Sequence, residues 1–189
     1  MRRHRVALLA AVLGLLSGTV LAAEAKPIET FRAFAASLGT GRAGALTITI
    51  ERWSTDQERE MLLTTLQEFG SDKLVGTLMK IRPRVGYMRL PNSIGYDLFY
   101  ARNNPVPDGR RRVVIATNRR VAFREAATNQ RSMQYQLTLI ELRLDEDGKG
   151  EGKMVPAAKI SWDTKDKKIE IENYSALPVD LLNVRATQP

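Results

Sequence analysis

Leu137-Thr138-Leu139-Ile140-Glu141-Leu142-Arg143-Leu144 is the stretch on which the fold turns. Read as a strand, it places Leu137 and Leu139 on one face and Ile140, Leu142 and Leu144 on the other. A strand at the surface of an antiparallel sheet is apolar on one face only, so both faces of this one are expected to be covered. Helices are expected to cover one of them.

Outward from this strand the same reading repeats. Leu46, Ile48 and Ile50 alternate with Thr47, Thr49 and Glu51, and segments 85–90, 95–102, 110–117 and 121–125 read as strands. The quoted strand extends over 135–144, and 153–162, 168–174 and 179–185 follow it. Turn residues separate them: Pro91-Asn92-Ser93, Asn103-Asn104-Pro105, Asp108-Gly109, Asp147-Gly148 and the polar run 163–167. Strands in succession with short connections imply an antiparallel meander. The fold class is α+β and strand-rich: a curved antiparallel meander sheet or open barrel, with two to three helices packed against it.

Three segments read as those helices. After Pro27, Ile28, Phe31, Phe34 and Leu38 recur at helical spacing, with Gly39 as the stop. Ser54-Thr55-Asp56-Gln57-Glu58 opens a second helix, since either hydroxyl can cap it and Gln57 or Glu58 stands three residues on. Leu62, Leu66 and Phe69 form its apolar stripe and Gly70 ends it. Ser71 caps a third, with Leu74, Val75, Leu78 and Met79 along one side and Pro83 as its end.

The N-terminus reads as a removable leader. Arg2, Arg3 and Arg5 precede an uncharged apolar run from Val6 to Leu16, and Val20 and Ala22 stand at signal-peptidase spacing. Residues 1–22 are assigned as a signal peptide, with cleavage after Ala25 as the alternative, and 23–189 as a single globular domain with no stable membrane span after processing. About 165 residues remain, enough for a sizeable core. Cleavage after Ala22 takes the 29 basic residues to 26 against 21 acidic ones, a formal +5. A mild surplus of this kind suits anionic or amphiphilic partners in the cell envelope, while nucleic-acid binders concentrate charge more heavily. The expected setting is periplasmic or extracellular.

Composition also removes chemistry. The only histidine, His4, lies in the leader, and there is no cysteine. The processed chain therefore lacks Ser-His and Cys-His machinery, zinc sites of the usual ligands and haem ligation by His or Cys. No cofactor and no metal are expected. Gly39, Gly41 and Gly44 fit G-x-G-x-x-G, but the expected order is helix, glycines, strand, the reverse of what a dinucleotide site needs. Asp145, Asp147 and Gly150 resemble a calcium loop, yet Lys149 and Pro156 occupy ligand positions. Asn173-Tyr174-Ser175 is a glycosylation sequon by pattern alone.

Three sets remain as candidate sites. Arg102, Arg110, Arg111, Arg112, Arg119 and Arg120 could bind carboxylate or phosphate, although strand edges also carry charge to block edge pairing. A hairpin of 95–102 with 110–117 would gather Arg102 and Arg110 to Arg112 near the turn. Tyr96, Leu98 and Tyr100 share one expected strand face, and Tyr96 and Tyr100 could orient a ligand at a barrel mouth, or serve as ordinary packing. Asp97, Glu125 and Glu141 lie within strands; two carboxylates across a cleft would open glycoside hydrolysis, with pairing to arginine as the plainer account.

Glu51-Arg52-Trp53-Ser54-Thr55, Glu58-Arg59, Gly95-Tyr96-Asp97-Leu98 and Tyr100-Ala101-Arg102 resemble a group of small exported bacterial proteins with no assigned activity. The similarity covers most of the processed chain and implies a bacterial envelope or secreted setting. The functional expectation is a non-catalytic binding protein for an anionic or amphiphilic envelope partner. Its rival is a carboxylate-dependent hydrolase of envelope polysaccharide.

Overall fold

The computed structural model describes residues 26–37, 42–91, 93–107, 109–118, 135–173 and 178–188. In chain order these form β1 (Glu29–Ser37), β2 (Arg42–Ile50), α1 (Asp56–Leu78), β3 (Gly86–Arg89), β4 (Tyr96–Leu98) and β5 (Tyr100–Pro105). Then come β6 (Arg111–Thr117), β7 (Leu137–Leu144), β8 (Lys149–Asp163), β9 (Lys168–Asn173) and β10 (Val179–Thr187). The leader-like residues 1–22 and the expected strand 121–125 lie outside the described residues.

The strands make one antiparallel sheet in the order β4-β3-β2-β1-β10-β8-β7-β6-β5, with β9 paired to β8. The two ends of that path, β4 and β5, are separated only by Phe99. Phe99 donates its N–H to the Ala116 carbonyl at 3.1 Å, and the Thr117 hydroxyl donates to the Asp97 carbonyl at 2.7 Å. The meander therefore curls into a nearly closed barrel. Counting β4 and β5 as one bent strand, eight strands form the wall, a number whose lumen side chains just fill.

They fill it. Phe31, Ile50, Val85, Leu98, Val113 and Leu142 are each 0% exposed inside the barrel. Glu29 on β1 and Arg111 on β6, 82 residues apart and on well-separated strands of the wall, form a two-pronged ion pair, one prong at 3.0 Å. Arg111 also lies 5.7 Å from the Phe31 ring centre, so a charge pair and a cation–π contact join two distant strands.

The first expected helix is a strand. Phe31 and Ala35 point into the lumen while Phe34 is 46% exposed, so the real period from Glu29 to Ser37 is two. Two small alanines on the buried face blur the alternation, and pairing on both sides, to β2 and β10, overrides the apparent helical spacing. The other two expected helices are one element, α1. Thr55 and Glu58 complete a capping box, with the Glu58 N–H donating to Thr55 Oγ1 at 3.1 Å and the Thr55 N–H to Glu58 Oε2 at 2.9 Å. Gly70, the expected end of the second helix, breaks the helical path at φ 76°, ψ −172°, so α1 is two helical stretches joined across a kink.

α1 lies against the outside of the wall. Leu62, Leu66, Leu74, Val75 and Leu78 meet Phe99, Ala116, Leu137 and Ala158 in a second core. β7 is thus covered on both faces, lumen on one side and helix on the other. Among the described residues no helix is long and apolar enough to cross a membrane.

A candidate binding groove outside the barrel

The helix does not cover the outer wall completely. Between α1 and the wall runs a groove of about 240 Å³. Its floor is built by outward side chains of successive strands: Tyr100 on β5, Val114 and Ala116 on β6, Leu137 and Leu139 on β7, and Ile160 on β8. Leu62, Leu63, Leu66, Leu74 and Leu78 of α1 form its roof. The far wall is β9, which leaves the barrel with the second half of β8. Ile169 and Ile171 project from it at 51% and 57% exposure. Charged Lys168, Glu170 and Glu172 alternate with these isoleucines, so β9 keeps one apolar row for the groove and one polar row for water.

Backbone bonds fix the near end. Ser54, just before the helix cap, donates its N–H to the Ala101 carbonyl at 2.7 Å and its Oγ accepts from the Ala101 N–H at 3.0 Å. The start of α1 is thereby locked onto β5. Arg52 grips Glu58 through both guanidinium ends, at 3.0 and 2.8 Å. The Arg52 bonds hold the Glu58 carboxyl below the usual carboxylate range, against burial, which pushes the other way. Arg59 follows on the groove side, beside Tyr100. Burial pushes the Tyr100 phenol above its ordinary value, with Arg102 and Arg59 partly opposing it.

The expected site residues are dispersed. Only Tyr100 of them lines the groove. Tyr96 packs against the lumen instead, because the bend at Phe99 breaks the alternation on which a shared face depended. Arg102 pairs with Asp56 at 2.7 Å, and it sits opposite Val114 while Arg111 sits opposite Pro105. Those positions are three register steps, roughly 10 Å, apart. Arg111 is engaged with Glu29, and Arg110 and Arg112 are exposed near the hairpin turn. Arg119 and Arg120 lie outside the described residues.

The carboxylates are placed differently again. Asp97 bonds Arg84 at 2.6 Å, and Arg84 also holds Glu51 at 3.0 Å; these bonds raise the Arg84 pKa. Glu141 bonds Arg143 at 2.8 Å. Each thus has a guanidinium of its own, and Glu125 lies outside the described residues. Among the described residues no three Asp, Glu, His or Cys side chains gather as a metal site would need.

Sequence reasoning missed Arg59 and the Leu and Ile residues of the groove. Arg59 carries a faint local signal, since a cation in the first turn of a helix opposes the dipole. The remaining lining residues read as ordinary core. Comparison with protein-family models, curated proteins and solved structures gives no match to this chain.

Proposed function

We propose that the protein is an exported, non-catalytic binding protein that holds an amphiphilic molecule of the cell envelope between α1 and the outer wall. The observation that carries this reading is the lining: twelve of the fourteen residues around the groove are aliphatic. Such a surface left open to water marks a binding site more often than a packing fault. The polar exceptions, Arg59 and Tyr100, are a charged group and a hydroxyl that can fix orientation. The lumen is lined by side chains that are 0–2% exposed, whereas the outer groove is open to a ligand. A chain of about eight methylenes would gain on the order of 6 kcal/mol by transfer into it, before the cost of association. The leader-like residues 1–22 support the export part of the reading, and of the candidate carboxylates the two described ones, Asp97 and Glu141, are tied to separate arginines.

The test uses N-phenylnaphthylamine, an uncharged dye that brightens in apolar sites. The full chain is expected to bind it, and Ile171→Asp is expected to weaken binding about tenfold with an unchanged circular-dichroism spectrum. No brightening with the native chain, or equal binding by the variant, would remove the groove from consideration.

A further inference from the structure

Of the fourteen residues around the groove, only Arg59 is charged. Arg52, Arg84, Arg102, Arg111 and Arg143 are each joined to a carboxylate, whereas Arg59 forms no ion pair among the described residues. Its neighbours three and four positions away on α1 are Asp56, Thr55, Leu62 and Leu63, the positions from which a helical side chain finds a partner. Asp56 is the one acid among them, and it is bonded to Arg102. The helix gains nothing from a cation in its first turn, where the dipole is positive. Arg59 thus stands exposed, without an ion pair among the described residues and unfavourably placed for the helix dipole, at one end of an aliphatic groove.

The groove has a direction as well. From Tyr100 on β5 to Ile171 on β9 its floor crosses four strand spacings, about 19 Å. A space of about 240 Å³ is small for a ligand site, enough for one alkyl chain rather than several. Resting on the groove reading above, we infer that the ligand is a single-chain amphiphile with an anionic head. Its head sits on Arg59 and the Tyr100 hydroxyl, and its chain crosses the wall toward Ile169 and Ile171. A forked guanidinium takes two anionic oxygens at once, which suits a carboxylate or a phosphate. A phenol is protonated at neutral pH, so the Tyr100 hydroxyl can donate, and burial pushes its value further up.

The experiment titrates the full chain by calorimetry at neutral pH with decanoate, decyl phosphate and decanol, each below its micelle concentration. At least one of the two anions is expected to bind about tenfold more tightly than decanol, as a charge-assisted contact allows; which of them does so separates a free fatty acid from a lipid phosphate. Arg59→Gln, on an exposed site, is expected to abolish that tenfold preference, with the same melting temperature as the native chain. Decanol binding as tightly as both anions, or an anion preference that survives Arg59→Gln, overturns the head-group assignment while the groove stands. Binding of none of the three overturns both.

Discussion

The barrel wall has two apolar faces that meet very different fates. On the lumen side, side chains from the strands of the wall converge and bury one another; Ile115 and Met154 are 0% exposed there. On the outer side a single kinked helix must cover outward residues of β5, β6, β7 and β8, and it falls short, leaving Ile169, Ile171 and Arg59 around an open groove. The same alternating strands supply both surfaces. A closed wall packs itself because every strand faces every other, while an open face depends on one partner of fixed width. The buried core lies on the first face and open space on the second.

Mutations can test that division. Phe31→Ala, in the lumen, is expected to have the largest effect, about 4 kcal/mol of lost stability in urea unfolding. A loss comparable to that of an exposed residue would show that the lumen is not the stabilising core. Gly70→Ala probes the cover. Its backbone occupies a region essentially closed to other residues, so the variant is expected to lose about 2 kcal/mol, where an ordinary helical Gly→Ala change would gain about 1 kcal/mol. A gain would mean that α1 can straighten, and the groove between Leu66 and Leu74 would change shape with it.

Glu58 links the two regions through pH. Its carboxyl is held below the usual range, so its contribution is present above the unfolded value of about 4.3 and is lost as pH falls through the lower folded value. Glu58→Gln is expected to cost about 1 kcal/mol at neutral pH and to flatten the acid limb of the stability curve. An unchanged limb would show that the Arg52–Glu58 contact does not secure the helix. The smallest stability effect belongs to Ile171→Asp, within about 0.5 kcal/mol, because that side chain is already largely in water. A large loss there would make β9 part of the core.

Much of the sheet was legible because its signals are local. Alternation at Leu46, Ile48 and Ile50, turn residues between strands, and the two-faced apolar pattern of β7 each need only a few neighbouring residues to read. The capping box at Thr55 and Glu58 is equally local. β1 was not legible: Phe31 and Phe34 fit a helical period as well as a strand, and only pairing to β2 and to the distant β10 selects the strand. The groove was less legible still. Tyr100 was singled out for its hydroxyl, but Arg59 and Ile171 become neighbours of one space only after the wall has curled and α1 has folded across it.

By itself, the amino-acid order settled most of the strand segments, where α1 begins, and that the chain holds no cysteine and no histidine beyond His4. Tertiary structure alone decided which side chains would be buried in the lumen, that Glu29 and Arg111 would meet between distant strands, and that the helix would leave a groove beside Arg59, which forms no ion pair among the described residues. The physical reason is range. Periodicity, capping and turn chemistry act between residues a few positions apart, whereas filling and gaps depend on how elements far apart in the chain divide the same volume.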